Sequence, residues 1–148
     1  YRRAIDDFLE SEALYQAHME WYLQEVGKCT HREFSTGFYF GKPGEEGQIY
    51  GESTYCSDAV YLGTVYEKDR QGWVRIEQRN KFCRGDSIEI MKPGGRDQVV
   101  KVLSIQDEAG NEMESAPHPK QALWLKLSGE AEVYDLLRIE KGREVTGE

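Results

Sequence analysis

Basic and aromatic side chains that could hold a nucleic acid are concentrated between residues 70 and 101. This stretch has eight basic and four acidic residues, a local charge of +4 in a chain whose formal net charge is −8. Aromatic rings among cations can stack on bases while the cations attract phosphate. Together with one histidine further along, the candidate binding residues are Trp73, Arg75, Arg79, Asn80, Lys81, Phe82, Arg84 and His118. The alternative is that they form the solvated outer face of strands and turns.

The histidine and cysteine residues give weaker signals. His118 lies between Pro117 and Pro119, which force an extended backbone, so it is either presented on a rigid rim or acts as a spacer. Cys29 and His31 form the only close pair of metal-ligand types, whereas structural metal sites usually show two such pairs. Standard nucleophile, phosphate-loop and metalloprotease motifs are missing from the sequence. We therefore expect neither a catalytic residue nor a metal site nor a cofactor within this chain.

Composition predicts one modest acidic domain. The 148 residues are 39% hydrophobic and 31% charged, and the aromatic residues are spread along the chain, which argues against disorder. No apolar run approaches the length of a membrane span, and the three cysteines form no disulfide framework. We expect a cytoplasmic protein with no membrane partner. The chain opens with Tyr1 inside a helical pattern, which indicates a piece of a longer protein.

Residues 1–30 carry helical periodicity. Ile5, Phe8 and Leu9 fall on one face, a polar break follows at residues 10–12, and Gly27 ends the pattern. The sequence therefore predicts one or two helices.

The rest of the chain, residues 31–148, reads as short strands separated by Gly, Pro and Asp turns. The predicted strands are 34–40, 60–66, 72–78, 87–91, 99–105 and 122–127. The tail at 134–139 fits either a strand or a helix. Six strands without intervening helices favour a small antiparallel barrel, because closure removes exposed edges. Turns are predicted at 67–72, 84–86, 93–95 and 107–111, and a long loop at 42–47.

Four segments resemble one known family in the order in which they occur. Residues 31–41, 78–82, 85–90 and 116–121 look like the C-terminal domain of the collagenase-like peptidase U32 family, and residues 1–7 resemble the helix that leads out of its catalytic domain. The resemblance implies a β-barrel similar in strand pattern to the second domain of translation elongation factors. It also implies a preceding catalytic domain that can carry an iron–sulfur cluster. Family members are described as peptidases or collagenases, and others act in transfer RNA hydroxylation.

The resemblance implies that residues 1–30 are a helical lead-in and residues 31–148 an accessory barrel. On this reading the chain is a non-catalytic substrate-binding or lid module whose partner is its parent's catalytic domain. We expect RNA as the ligand, with phosphate contacts from Arg75, Arg79, Lys81 and Arg84, stacking on Phe82 and a turn shaped by Asn80. One alternative is a module for protein or collagen-like substrates, which Trp73, Tyr39, Tyr55 and Trp124 would favour if they lie exposed in a groove. Another is a barrel that only stabilises or dimerises its parent.

Overall fold

A computed structural model describes residues 1–32, 34–45, 55–93 and 97–141 of the chain. The described residues form three helices followed by a mainly β domain. The helices are α1 (Arg2–Glu10), α2 (Glu12–Ala17) and α3 (Met19–Gly27). The strands are β1 (Ala59–Lys68), β2 (Trp73–Gln78), β3 (Phe82–Cys83), β4 (Ser87–Met91), β5 (Gln98–Gln106), β6 (Glu112–Met113), β7 (Ser115–Ala116), β8 (Ala122–Leu127) and β9 (Leu136–Glu140).

Six of the described strands close into an antiparallel barrel, as the sequence predicts. Neighbours follow the order β4, β9, β1, β2, β8, β5, and β5 pairs back onto β4. The short strand β6 extends β5, and β3 pairs with β7 in a separate two-stranded sheet. Closure gives every barrel strand a hydrogen-bonded neighbour on both sides.

Five of the six predicted strands are confirmed, and the tail supplies the sixth barrel strand as β9. The prediction of a strand at 34–40 is wrong. Gly37 has a φ of +52°, and the amide of Tyr39 donates to the carbonyl of Thr36 at 3.0 Å, so this segment folds into turns. Glycine tolerates that conformation, whereas a strand requires negative φ throughout. Residues 94–95 of one predicted turn and residues 46–47 of the predicted loop lie outside the described residues.

The helices begin and end near the predicted break and glycine, but residues 1–32 form three helices where the sequence predicts one or two. Ser11 is extended, and its hydroxyl accepts the amide of Leu14 at 3.1 Å, which ends α1 and caps α2. His18 lies between α2 and α3, and Gly27 ends α3 as predicted.

The hydrophobic core lies inside the barrel. Alternating residues point inward, such as Val74 and Ile76 on β2 and Leu123 and Leu125 on β8, each at most 2% exposed. Gly63 on β1 permits close approach of β2, because a Cβ there would lie 2.7 Å from the carbonyl oxygen of Glu77. The main cluster of buried apolar residues contains no described helix residue.

An ion-pair network attaches α3 to the barrel instead. Arg138 on β9 is 6% exposed and contacts Glu89 at 2.6 Å, Glu25 at 2.9 Å and Asp97 at 3.5 Å. Lys28, directly after α3, contacts Glu25 at 2.5 Å and Glu89 at 3.3 Å. Burial alone raises the pKa of Glu25, but hydrogen bonds from Lys28 and Arg138 outweigh it and hold the pKa below its usual range. The Glu25 carboxylate therefore stays ionised where α3 meets the barrel.

A second cluster holds α1 against α3. The Asp7 carboxylate accepts the hydroxyl of Tyr22 at 2.5 Å and contacts His18 Nδ1 at 2.8 Å. These hydrogen bonds, that of Tyr22 first, lower the pKa of Asp7. Burial and the bond to Asp7 raise the pKa of Tyr22 to about 12. The outer apolar residues of α1 remain open, with Ile5 53%, Phe8 55% and Leu9 76% exposed.

Removing the central cation of the network should destabilise the domain. Arg138→Gln leaves the half-buried carboxylates of Glu25 and Glu89 with Lys28 as their remaining cation, and we expect a loss of up to about 3 kcal/mol in the free energy of unfolding, measured by urea denaturation. Arg84→Gln breaks a solvent-exposed pair with Glu114 and should change it little. Equal losses in the two variants would contradict the assigned role of the network.

The contact between α1 and α3 should weaken in acid. The pKa of Asp7 is lower in the folded chain than in the unfolded chain, where it is about 3.9. The Asp7 carboxylate therefore contributes its full stabilisation above about pH 5. This contribution is lost as the pH falls below the unfolded pKa and through the folded pKa. Trp21 fluorescence in a Trp73→Phe, Trp124→Phe background should report this transition. Asp7→Asn should abolish it, and a transition that persists in Asp7→Asn would assign the change to another group.

Candidate nucleic-acid interface

Two tryptophans and an arginine share the outer face of β2 and β8. Trp73 pairs with Lys126 and Arg75 pairs with Trp124 across these antiparallel strands, so Trp73 precedes Arg75 by two residues on β2 and Trp124 lies opposite it on β8. The alternation that buries Val74 and Leu125 places all four outward. Each indole is half-buried, with part of its surface open to a ligand.

This face forms the floor of a groove made of two adjoining hollows. One hollow, of about 550 Å³, is lined by Arg75, Lys120, Gln121 and Ala122. The other, of about 360 Å³, is lined by Trp73, Trp124, Asp69, Gln71 and Gln106, among others. Both share Asp107, Glu108 and Ala109, which form one wall. We call this feature the tryptophan groove.

The wall of the tryptophan groove is a turn held by one carboxylate. Asp107 accepts the backbone amides of Ala109 at 2.9 Å and Asn111 at 2.8 Å, and the side-chain amide of Asn111 at 2.8 Å. These bonds, that of the Asn111 side chain first, lower the pKa of Asp107. The turn predicted at 107–111 is therefore confirmed, and it connects β5 to β6.

The basic residues predicted for phosphate binding are largely compensated in space. Arg75 contacts Glu108 at 2.7 Å and Glu67 at 3.0 Å, and the hydrogen bond to Glu108 is the main cause that raises its pKa. Arg79 contacts Glu77 at 2.8 Å, and Arg84 contacts Glu114 at 3.5 Å. The local charge of +4 counted along residues 70–101 is thus reduced at the surface, because carboxylates from other parts of the chain pair with these arginines. Exposed ion pairs of this kind are weak, and a phosphate can displace the carboxylate.

Two lysines near these arginines have no ion pair within the described residues: Lys81 and Lys120, both exposed. The amide of Lys120 donates to the carbonyl of Gln78 at 2.7 Å, which brings residues 118–120 beside residues 79–81. His118 is exposed in the same connection. The fold therefore brings four of the predicted side chains, Arg79, Asn80, Lys81 and His118, to one end of the barrel.

Phe82 is a correction. Its side chain is 1% exposed and belongs to the hydrophobic core, because β3 pairs Phe82 with buried Ala116. A ring enclosed in this way has no face on which a base could stack. Asn80 has an anchoring contact, since its side-chain amide donates to the carbonyl of Tyr61 at 2.7 Å.

Trp124 and Lys120 adjoin Arg75 only in the folded chain, through the pairing of β2 with β8 and the shared lining of one hollow. The outward position of Trp124 could be inferred from the alternation in β8, but its pairing with Arg75 depends on strand register.

Among the described residues, no group of three or more His, Cys, Asp or Glu is placed to hold a metal ion. No helix in the described part of the chain is long and apolar enough to cross a membrane.

Comparison with known proteins identifies the barrel. Residues 57–138 match the family model for the peptidase family U32 C-terminal domain. The chain belongs to the U32 C-terminal domain family. This confirms the resemblance inferred from the four sequence segments. The U32 barrel here is 31% identical to the C-terminal domain of a Geobacillus thermoleovorans U32 peptidase, with a TM-score of 0.50; that match covers 54% of this chain and 99% of the other.

Longer relatives of this U32 domain carry a specific name. Over 145 residues it is 34% identical to tRNA hydroxylation protein P1 of Bacillus subtilis, which covers 97% of this chain and 33% of the relative. Over 139 residues it is 27% identical to tRNA hydroxylation protein P of Escherichia coli. This alignment covers 93% of this chain and 30% of the relative. The chain therefore spans about a third of the length of these relatives.

The tryptophan groove should widen when its wall is released. Asp107→Ala removes three hydrogen bonds from the turn, so acrylamide should quench the fluorescence of Trp73 and Trp124 more strongly in a Trp21→Phe background. Glu130→Ala, an exposed carboxylate elsewhere, serves as the control. Unchanged quenching in Asp107→Ala would show that the turn does not shield the indoles.

Proposed function

We propose that this chain is the accessory, substrate-binding domain of a larger protein that hydroxylates tRNA, and that its tryptophan groove holds unpaired RNA. The observation that carries the proposal is the placement of Trp73 two residues before Arg75 on β2 and of Trp124 opposite Arg75 on β8, all on one outer face of the barrel. Stacking of a base on an aromatic side chain contributes about 1–3 kcal/mol and tolerates any base. The names of the longer relatives support tRNA as the source of that RNA.

Phosphate contacts follow from the cations beside the groove. Lys120 lines the hollow next to the indoles, and Lys81 and Arg79 lie further along the same end of the barrel. Arg75 can turn from Glu108 to a phosphate, since their contact is an exposed pair that water and salt already weaken. Because the chain has a net charge of −8, long-range attraction of RNA is absent, and binding is local and sensitive to salt.

Under this proposal the hydroxylation chemistry lies in the remainder of the longer protein. An iron–sulfur cluster, where one is present, belongs to that remainder, and this domain contributes binding and orientation but no reacting group. Positioning a substrate beside a distant reactive centre raises the rate by fixing the geometry of the encounter.

A second candidate is a docking role, favoured by the open apolar face of α1. Ile5, Phe8 and Leu9 are all more than half exposed although they lie on one helix face. An apolar face of this kind is typical of a surface that another domain covers. In this role the domain would hold the catalytic part in place without contacting RNA.

RNA titration tests the proposal directly. Fluorescence anisotropy with a tRNA transcript should show binding at low salt that weakens as salt rises. Trp73→Ala with Trp124→Ala should weaken binding at least about tenfold, because two stacking contacts are lost. Phe at both positions should retain most of the affinity, and Tyr134→Ala, at an exposed site elsewhere, should have no effect.

A variant of the ion pair between Arg75 and Glu108 should raise RNA affinity, whereas the tryptophan variants should lower it. Glu108→Gln removes the competing carboxylate and should strengthen binding several-fold. No binding at low salt, or full affinity in the double alanine variant, would refute RNA binding in the groove. Binding of a collagen-like peptide in its place would assign the groove to protein substrates.

A further inference from the structure

Four exposed aromatic side chains lie close together in the segment that the sequence predicts as a strand. Phe34 is 64% exposed, Phe38 77%, Tyr39 84% and Phe40 82%. Domains of this size usually bury such rings, and a contiguous exposed group of them indicates a binding surface. We call residues 34–41 the aromatic loop.

The backbone of the aromatic loop presents these rings outward. The amide of Tyr39 donates to Thr36 at 3.0 Å and that of Gly41 donates to Phe38 at 3.2 Å, which makes two consecutive turns. Gly41 has a φ of +132°, which side chains with a Cβ rarely adopt. Three successive rings are therefore displayed on a tight bend, and Tyr39 and Phe40 meet edge to face with centroids 4.9 Å apart.

The surface around the aromatic loop already holds planar groups by stacking. The imidazole of His31 lies flat on Phe34, with centroids 4.2 Å apart and an angle of 6° between the rings. The guanidinium of Arg32 lies over Tyr55, 5.5 Å from the ring centroid. A planar nucleobase would make the same kind of contact with Phe38, Tyr39 or Phe40.

The position of the aromatic loop relates it to the basic end of the barrel. The backbones of His31 and Cys56 exchange hydrogen bonds of 2.8 and 2.7 Å, which anchors the segment just before β1. The first residues of β1 lie beside residues 79–80, because Tyr61 accepts the side chain of Asn80 and Leu62 accepts the amide of Arg79. Along β1, residues 79–80 therefore lie between the tryptophan groove and the His31–Cys56 bridge, from which the chain continues into the aromatic loop.

The comparisons separate the aromatic loop from the barrel itself. The family match covers residues 57–138, so it begins after the loop. The match to tRNA hydroxylation protein P1 covers 97% of the chain and spans the loop. The alignment with that longer relative therefore includes the segment that forms the loop.

We propose that the aromatic loop is a second RNA contact, in which Phe38, Tyr39 and Phe40 stack on unpaired bases of the RNA held in the tryptophan groove. The proposal rests on the proposed function, since it takes the same RNA as its ligand. The cations Arg79, Lys81 and Lys120 then contact the backbone between the two stacking sites. Two sites joined by one strand bind more tightly than either alone.

The test replaces the three rings in two ways. One variant carries Phe38→Ala, Tyr39→Ala and Phe40→Ala, and the other carries Leu at all three positions, which keeps apolar surface but removes the π-faces. With a tRNA transcript and with a single-stranded RNA of about 12 nucleotides, both variants should lose at least about tenfold in affinity. Tyr66→Leu, at an exposed barrel position, should bind as the unaltered chain does.

A spectroscopic readout identifies stacking. Fluorescence of 2-aminopurine placed in the RNA should be quenched on binding to the unaltered chain and less so on binding to the leucine variant. Full affinity and full quenching in both loop variants would overturn the second contact, while loss of binding in the double tryptophan variant would leave the proposed function standing. Retained affinity in the leucine variant alone would assign an apolar contact and overturn stacking.

Failure of the proposed function has a different outcome. If neither the loop variants nor the groove variants bind more weakly, or if no RNA binds at all, both proposals fall together. If the loop variants instead change the oligomeric state and leave RNA affinity intact, the aromatic loop is a contact between copies of the chain, and stacking on RNA is refuted.

Discussion

The buried contact between Arg138 and its carboxylate partners decides how the parts of this domain are arranged. Arg138 lies on a barrel strand, Glu89 on the next strand and Glu25 on a helix, so one guanidinium joins three elements. Ions removed from water are costly unless they are paired with good geometry, so the network is tolerated only when the helix is in place. The orientation of α3 is therefore fixed by charge, and the apolar core stays within the barrel.

This division explains why the two halves of the chain look so different. Barrel strands bury every second residue and form the apolar core among themselves, and the crystallised U32 domain matches 54% of this chain. Helix α3 contributes the carboxylate of Glu25 to the ion-pair network with the barrel. On α1, Phe8 and Leu9 remain exposed to solvent. Among the described residues, nine of the 17 exposed large apolar side chains lie in segments 1–32 and 34–45.

Much of the fold could be predicted from the sequence because it depends on local pattern. Alternation in residues 60–66 and 122–127 and the turn residues between strands locate the barrel, and the break at Ser11 is a local capping signal. The segment 34–40 was misread because aromatic residues favour strands, while Gly37 and Gly41 impose turns that composition alone does not reveal. Phe82 was misread because only the pairing of β3 with β7 shows that its ring is enclosed.

The candidate site could be predicted only in part, for a reason of register. Trp73 and Arg75 stand out in the sequence, but the approach of Trp124 and the pairing of Arg75 with Glu108 are set by strands and turns far apart in the chain.

Closure of the barrel has one more consequence, for the kind of ligand the domain can take. Every barrel strand already has a hydrogen-bonded neighbour on each side. An extended peptide therefore finds no open edge among the six barrel strands at which to join as an extra strand, one of the recurring ways in which a sheet binds a polypeptide. Whatever binds these six strands is then selected mainly by side chains on the outer surface of the barrel and in its loops.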